Sequence, residues 1–193
     1  DKIYGKKFLF TTPLPITAKL LNGVAQKKWL DDILKISYLG NICLVLRLSK
    51  SLSDTYWMNV NDPEFPFVGV IEHTNFDTPS NYDGSHIAYL SRYIATSDED
   101  WALSDSDYFN LALTYLQKMF PDFQKDWVIE YKIWRSEHAQ PVAEKKYSQI
   151  LPPYDTPIKN LYIATMAQIY PEDRGTNYAV REGKKIAENF LLD

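Results

Sequence analysis

The sequence is poor in cysteine and histidine, its glycines are scattered, and it has no long apolar run. The single cysteine, Cys43, excludes an internal disulfide and any cysteine metal cluster, and a reducing compartment suits such a chain. Cys43 sits inside an apolar stretch and reads as inert core. The three histidines, His73, His86 and His138, lie on separate segments without metal-ligand spacing, so no metal is expected. The seven glycines never form a G-x-G-x-x-G turn. There is no G-x-S-x-G elbow and no Cys–His motif, so nucleophilic acyl transfer has no support. No apolar segment approaches the ~18 residues that cross a bilayer. A net charge of −4 argues against a nucleic-acid partner. No signal peptide is visible, and a cytoplasmic protein is the expectation. The chain starts at Asp1 without methionine, so a native N-terminus further upstream is expected as well.

What is present is ordinary globular material with an aromatic excess. At 193 residues the chain suits one domain or two small ones. Aromatics reach 15%, led by 14 tyrosines and 5 tryptophans. Such side chains fill cores, and they also line apolar pockets with polar tips.

The pattern of apolar residues predicts an α+β fold with a mixed, largely antiparallel sheet. Lys6–Thr12 reads as a buried strand that Pro13 and Pro15 turn into a helix running to about Leu21. Lys27–Ile36 is a second short helix. Ser37–Leu48 is a strand apolar enough to be covered on both faces. Tyr56–Asn59 and Phe65–Thr74 read as a hairpin joined through Asn61-Asp62-Pro63, and Ser85–Ile94 is the next strand. Ser104-x-x-Asp107 opens the clearest helix, which Pro121 closes. Trp127–Trp134 alternates as a strand and passes into a polar loop. Leu151–Pro157 is a proline-rich linker. Asn160–Thr165 is the last strand, and Asn177–Leu191 is an amphipathic helix. The first and last segments are each strand then helix, the mark of a parallel α/β layer. The reading divides the chain into 1–22, 23–155 and 156–193, with the middle block inserted between remnants of one layer.

Three constellations carry possible chemistry. The first is Glu172-Asp173-Arg174-Gly175-Thr176-Asn177, which delivers Gly175 to Asn177 at a helix mouth. Free amides and the positive end of the helix dipole meet there, and glycine admits a flat ligand close to the backbone. Such a mouth suits a nucleotide or a flavin. The same stretch reads as an ordinary loop with Thr176 as N-cap. The second is Glu72-His73-Thr74-Asn75, four polar groups at a strand end that either face a cavity or simply leave the sheet. The third runs from Trp134 through Arg135, Glu137, His138 and Gln140. A flat substrate could stack on Trp134 and an anionic one could be held by Arg135, or the stretch is a polar loop with an aromatic plug. Arg92 and Tyr93 are weaker candidates from a strand, Arg92 being the better candidate for structural pairing.

These residues carry a resemblance. YIATMAQIYPEDRGTNYAVREGKKIA resembles the C-terminal cofactor segment of the FAD-dependent amine oxidase and protoporphyrinogen oxidase superfamily. KFLFTTPLP resembles the strand and Pro turn that leads from the FAD domain towards the substrate domain. LGNICLVLRL, VGVIEHTNF and WRSEHAQPV resemble a subgroup of NAD(P)/FAD-dependent oxidoreductases. The resemblance implies a C-terminal fragment of a two-domain flavoprotein: a substrate domain, flanking FAD segments, and an upstream FAD-binding domain of the same polypeptide as partner. By position it implies cofactor contacts from Thr12, Pro13, Arg174, Gly175, Thr176, Asn177 and Ala179. It implies a small-molecule substrate against Glu72, His73, Asn75, Arg92, Tyr93, Trp134, Arg135, His138 and Gln140. The flavin would do the hydride chemistry, and the protein would supply position and electrostatics. Without the glycine turn, the chain alone is expected to bind FAD poorly and to be inactive. Two alternatives stand beside the oxidoreductase: a flavin-dependent nucleotide-sugar mutase, and a non-enzymatic module with an aromatic pocket for an apolar ligand.

Overall fold

Every second residue of β2 (Tyr38–Leu48) is buried, and this alternation organises the larger part of the chain. Ile42, Leu44, Leu46 and Leu48 have no exposed surface, while Asn41, Cys43, Val45 and Arg47 are half-buried. The strand is therefore covered fully on one face only, not on both as its composition suggested. The computed structural model describes residues 1–172 and 174–191. They divide into two compact units, Asp1–Ser37 with Pro141–Asp193, and Tyr38–Gln140. Residues 23–37 and 141–155, which the sequence reading gave to the middle block, cluster with the terminal segments instead.

The middle unit is an α+β block. Its five-stranded sheet has the order β3-β4-β5-β2-β6, with β3 at Trp57–Asn59, β4 at Gly69–Glu72, β5 at His86–Ile94 and β6 at Val128–Pro141. The ladders β3–β4, β4–β5 and β2–β5 are antiparallel, and β2–β5 runs in unbroken register from Gly40↔Ile94 to Leu48↔His86. The helix α3 (Asp105–Met119) buries Tyr108, Phe109, Ala112, Leu113 and Leu116 in the same core as β2, β4 and β5. Ser104 starts it as the sequence suggested: its Oγ accepts the Asp107 amide at 3.1 Å and donates to the Asp107 carboxylate at 2.6 Å. The Tyr108 hydroxyl donates to the Pro66 carbonyl at 2.7 Å, so this core phenol is satisfied.

The second unit pairs the two ends of the chain. β1 (Phe8–Phe10) and β7 (Leu161–Ile163) form a two-stranded parallel ribbon, Phe8↔Leu161 to Phe10↔Ile163. Three helices belong to this unit: α1 (Leu14–Leu20), α2 (Lys27–Ile33) and α4 (Thr176–Ile186), the last followed by a π-turn over Ala187–Leu191.

Gly40 faces the core side of β2. A Cβ there would lie 2.6 Å and 2.9 Å from ring atoms of Trp101 and 3.2 Å from the Ser136 carbonyl oxygen. Gly40→Ala should therefore lower the unfolding free energy by about 1–3 kcal/mol through overpacking, read as a drop in the urea midpoint. An unchanged midpoint would show that Trp101 moves aside freely.

Candidate functional site

Two regions hold the sequence-predicted residues, one in each unit. In the terminal unit the helix α4 opens at Gly175, which is the N-cap itself; Thr176 is the first helical residue and does not cap. Gly175 has no side chain to cap this first turn, and the first amides of a helix have no partner within the helix itself. Gly175 has ordinary extended backbone, and what matters is space: a Cβ would come within 2.5 Å of Asn177 Oδ1. A side chain at this position would fill the approach to the helix mouth and push Asn177 aside. A flavin edge fits such a cradle, since it presents carbonyl oxygens to amides and needs the room.

The rest of the cofactor set is less open. The Arg174 guanidinium reaches the Pro141 carbonyl at 3.4 Å and has further partners, so it is an engaged group, not a spare charge. Asp173 lies outside the described residues. The Thr12 hydroxyl pairs with the Thr17 hydroxyl at 2.8 Å, and Pro13 is the N-cap position of α1, so both take part in starting this helix. Ala179 lines a cavity of about 210 Å³ with Leu9, Thr11, Thr165, Glu182 and Gly183.

Beside that cavity lies an ionic chain that the sequence gave no sign of. The Tyr154 hydroxyl donates to Glu182 in a very short hydrogen bond. Arg181 bridges Glu182 and Glu172, 2.8 Å from each. These contacts hold the Glu172 and Glu182 carboxyls below the usual range, through Arg181 for the first and Tyr154 for the second. Burial, together with the neighbouring Glu182, pushes the Tyr154 phenol up to about 12. The chain joins the proline-rich linker and the 170–172 turn to one face of α4. Tyr154 lies 28 residues before Glu182, so no local pattern announces its part in the chain.

In the middle unit the half-buried face of the sheet is the candidate substrate surface. The register places Gly69, Ser91 and Cys43 in one row and Ile71, Tyr89 and Val45 in the next. Asn41 and Tyr93 form the row on the other side. Small groups thus occupy the row between those of Tyr89 and Tyr93, four residues apart on β5, and this row is the candidate slot. Cys43 belongs to this slot and not to the core, and partial burial raises its thiol above the ordinary range. Asn41 Nδ2 donates to Ser91 Oγ at 2.9 Å and fixes the slot's edge. Sequence reasoning found Tyr93 and missed Ser91, Tyr89, Cys43 and Asn41, which only the β2–β5 register brings together.

Several predicted substrate contacts have structural partners of their own. Glu72 is fully buried, and its carboxylate accepts the Ser51 hydroxyl at 2.6 Å and the amides of Leu52 and Ser53 at 3.0–3.2 Å. It pins the 51–53 turn. Asn75 donates to the carbonyls of Ser53 and Thr55 at 2.6 Å and 3.2 Å and closes the same loop. Arg92 pairs with Asp100 at 2.6 Å and lies 3.9 Å from Asp98. Arg135 is tied to Asp105 at the start of α3 and to the Leu103 carbonyl. Each of these two guanidiniums is thus paired with an aspartate. The stretch after Trp134 is not a loop, because β6 continues to Pro141. Trp134 alternates with buried Ile133 and is 61% exposed, with Lys132 Nζ 5.3 Å from its ring centre. His138 packs edge-on against Tyr38, and Gln140 is half-buried near the end of the strand. His73 lies 6.0 Å from the Tyr89 ring, at the margin of the slot.

The chain belongs to the flavin containing amine oxidoreductase family, whose description matches residues 11–191. Its fold is shared by solved structures at low identity. A protein from Exiguobacterium sp. 255-15, provisionally named a protoporphyrinogen oxidase, superposes with a TM-score of 0.72 at 15% identity, over 96% of this chain and 41% of its own. An oxidoreductase from Methanosarcina mazei gives 0.63 at 18%, over 86% and 39%. A reduced UDP-galactopyranose mutase gives 0.60 at 11%, over 77% and 32%. The chain thus spans well under half the length of each of these structures. None of the curated proteins matches its sequence. Among the described residues no helix is long and apolar enough to cross a membrane.

The Tyr154 phenol offers a direct check of the ionic chain. A phenol whose folded value lies above its unfolded value of about 10 stabilises the fold fully below pH 10. That contribution disappears as the pH rises through 10 towards 12. Wild-type protein should therefore lose stability over this window more steeply than a Tyr154→Phe variant, measured by urea denaturation at stepped pH. Parallel curves for the two proteins would contradict the buried pairing.

Proposed function

We propose that this chain is the substrate-handling part, with flanking cofactor segments, of an FAD-dependent oxidoreductase acting on a small organic molecule. Family membership supports the cofactor class. The reading rests on the slot formed by Gly69, Ser91 and Cys43 between Tyr89 and Tyr93. A row of small groups flanked by aromatic rings accepts a flat or narrow apolar body, with a few polar atoms to orient it. At the helix mouth, Gly175, Thr176 and Asn177 would hold the flavin through their amides, with Ala179 one turn further along. Bound there, the flavin supplies hydride chemistry, and this chain supplies position. An upstream FAD-binding domain of the same polypeptide is the expected partner.

The slot also weighs the mutase alternative, which the resemblance to UDP-galactopyranose mutase keeps in view. A nucleotide-sugar diphosphate needs free guanidinium or ammonium groups. The slot rows carry none. Arg92 and Arg135 are bound to aspartates, and Arg47 donates to Ser85 Oγ at 2.9 Å beside Asp83. A neutral or weakly polar substrate fits this face better than a diphosphate.

The first test is the visible spectrum of the protein expressed from its whole gene. Flavin bands, with FAD released on denaturation, are expected; a colourless protein that refuses added FAD would sink the cofactor reading. Gly175→Val should then lower FAD occupancy at least several-fold while leaving the far-ultraviolet circular dichroism unchanged. Ser91→Trp should fill the slot. It is expected to slow flavin reduction at least tenfold by whichever compound in a panel of small amines, alcohols and ring-reduced heterocycles reduces the wild type, with FAD content unchanged. Equal rates for both proteins would remove the slot from the substrate path.

A further inference from the structure

At the margin of the slot three side chains form one hydrogen-bonded line. His73 Nε2 lies 2.7 Å from the Tyr82 hydroxyl, and that hydroxyl lies 3.0 Å from Asp77 Oδ2. Asp77 is held in place by the Thr78 amide at 2.8 Å and by Asn81 Nδ2 at 2.9 Å, both reaching Oδ1. The His73 ring is packed edge-on between Tyr82 and Tyr89, with centroids 5.5 Å and 6.0 Å away. Neither its position nor its tilt is left to chance.

One proton decides what this line does. A tyrosine has a single O–H to donate. An ionised carboxylate that already collects two N–H donors takes that proton in a charge-assisted bond. Hydrogen bonding from Tyr82 comes first among the causes that hold the Asp77 carboxyl below its usual range. The Tyr82 oxygen can then only accept from His73, so the imidazole carries its proton on Nε2. Its other nitrogen, Nδ1, is left with a bare lone pair, and the structure gives it no partner among the described residues.

We infer that Asp77, Tyr82 and His73 make a built proton-accepting site, in which His73 Nδ1 takes a proton from an O–H or N–H group of a ligand lying along the Tyr89 side of the slot. The ligand's bonding pair stays on its oxygen or nitrogen, and the new bond is Nδ1–H. The resulting imidazolium donates Nε2–H to the Tyr82 oxygen, and the Tyr82 hydroxyl keeps its own proton and donates it to the Asp77 carboxylate. The positive charge is thereby matched by one carboxylate through one phenol. The other titratable groups nearby suit this role. Tyr89 faces the ring from β5, and Glu72, next in the chain, directs its carboxylate into the 51–53 turn and towards His86 Nδ1 at 3.7 Å. The two rings packed against it, those of Tyr82 and Tyr89, carry no positive charge. This role deepens the oxidoreductase reading by assigning the substrate's ionisable proton to a named atom, and it rests on that reading only for the identity of the ligand.

The test uses the intact protein labelled with nitrogen-15 in histidine. The His73 ring should show a protonated Nε2 and a bare Nδ1 at neutral pH, and acidification should move Nδ1 while Nε2 stays protonated. In Tyr82→Phe, which removes the acceptor, the slowly exchanging Nε2–H signal should vanish. A proton found on Nδ1 at neutral pH would overturn the inference. As a probe of proton transfer, 4-nitrophenol supplies an O–H whose anion absorbs in the visible. Wild type should ionise it on binding, and His73→Gln, with unchanged circular dichroism, should ionise at least fivefold less. Equal ionisation, or none in wild type, would also overturn it. A flavin-free protein with the expected ring signals would sink the oxidoreductase reading and leave this site standing. A flavoprotein with the proton on Nδ1 would do the reverse.

Discussion

The register of β2 against β5 is the constraint on which the middle unit depends. Because strand side chains alternate, a slip of one residue would carry Ile42, Leu44, Leu46 and Leu48 to the half-open face. It would drive Asn41, Cys43 and Arg47 into the core beneath α3. Burying Arg47 alone, away from Ser85 and Asp83, costs more than a domain of this size can spare. The register is therefore held by what it excludes as much as by what it pairs. The same constraint sets the slot, since Ser91 lies opposite Cys43, and Tyr89 opposite Val45, only in that register. Core and candidate site are two faces of one decision.

Polar contacts then fix the parts that the sheet does not reach. Glu72 ends β4 on the core side, where a lone carboxylate would be costly, and three donors from the 51–53 turn satisfy it. The turn gains a rigid anchor and brings its strand, β3, to the sheet's edge. Asn75 closes the loop from the next turn. Immediately beyond, Asp77 and Tyr82 organise the residues around His73. The polar run after β4 thus serves two purposes: Glu72 and Asn75 stabilise structure, while His73 is oriented without being consumed.

Much of this was legible in the sequence. β2, β5 and α3 fall where periodicity and the Ser104 cap put them, because each buries a long apolar face on its own period. β6 was cut short at Trp134, since Arg135, Ser136 and Glu137 look like an exit from the sheet. They remain in the strand because the Arg135 guanidinium finds Asp105 and the Leu103 carbonyl, a tertiary partnership that no local pattern contains. Cys43 was misplaced for a related reason: an unbroken apolar run does not say which face is covered. The candidate site suffered most from this. Its members come from β2, β4 and β5, and only the pairing of distant strands puts Gly69, Ser91 and Cys43 in one row. Gly175, by contrast, was readable, because a glycine before an amphipathic run carries its meaning within a few residues.

The two regions also divide the chemistry between them in a way that their charges explain. The helix mouth at Gly175 offers amides and the positive end of α4, which welcome electron-rich edges. The ionic chain through Arg181 is satisfied internally, so it stiffens α4 without adding a competing free charge. The slot offers hydroxyls, a thiol, a carboxamide and phenols, with its neighbouring arginines neutralised. A ligand there gains little from charge and much from shape and hydrogen bonding. Such a surface would discriminate by fit, with the His73 imidazole at its margin. A substrate whose oxidation removes a hydride must also lose a proton. A face of largely neutral groups, with an oriented imidazole beside it, would match that requirement better than it would match the transfer of a charged phosphate-bearing group.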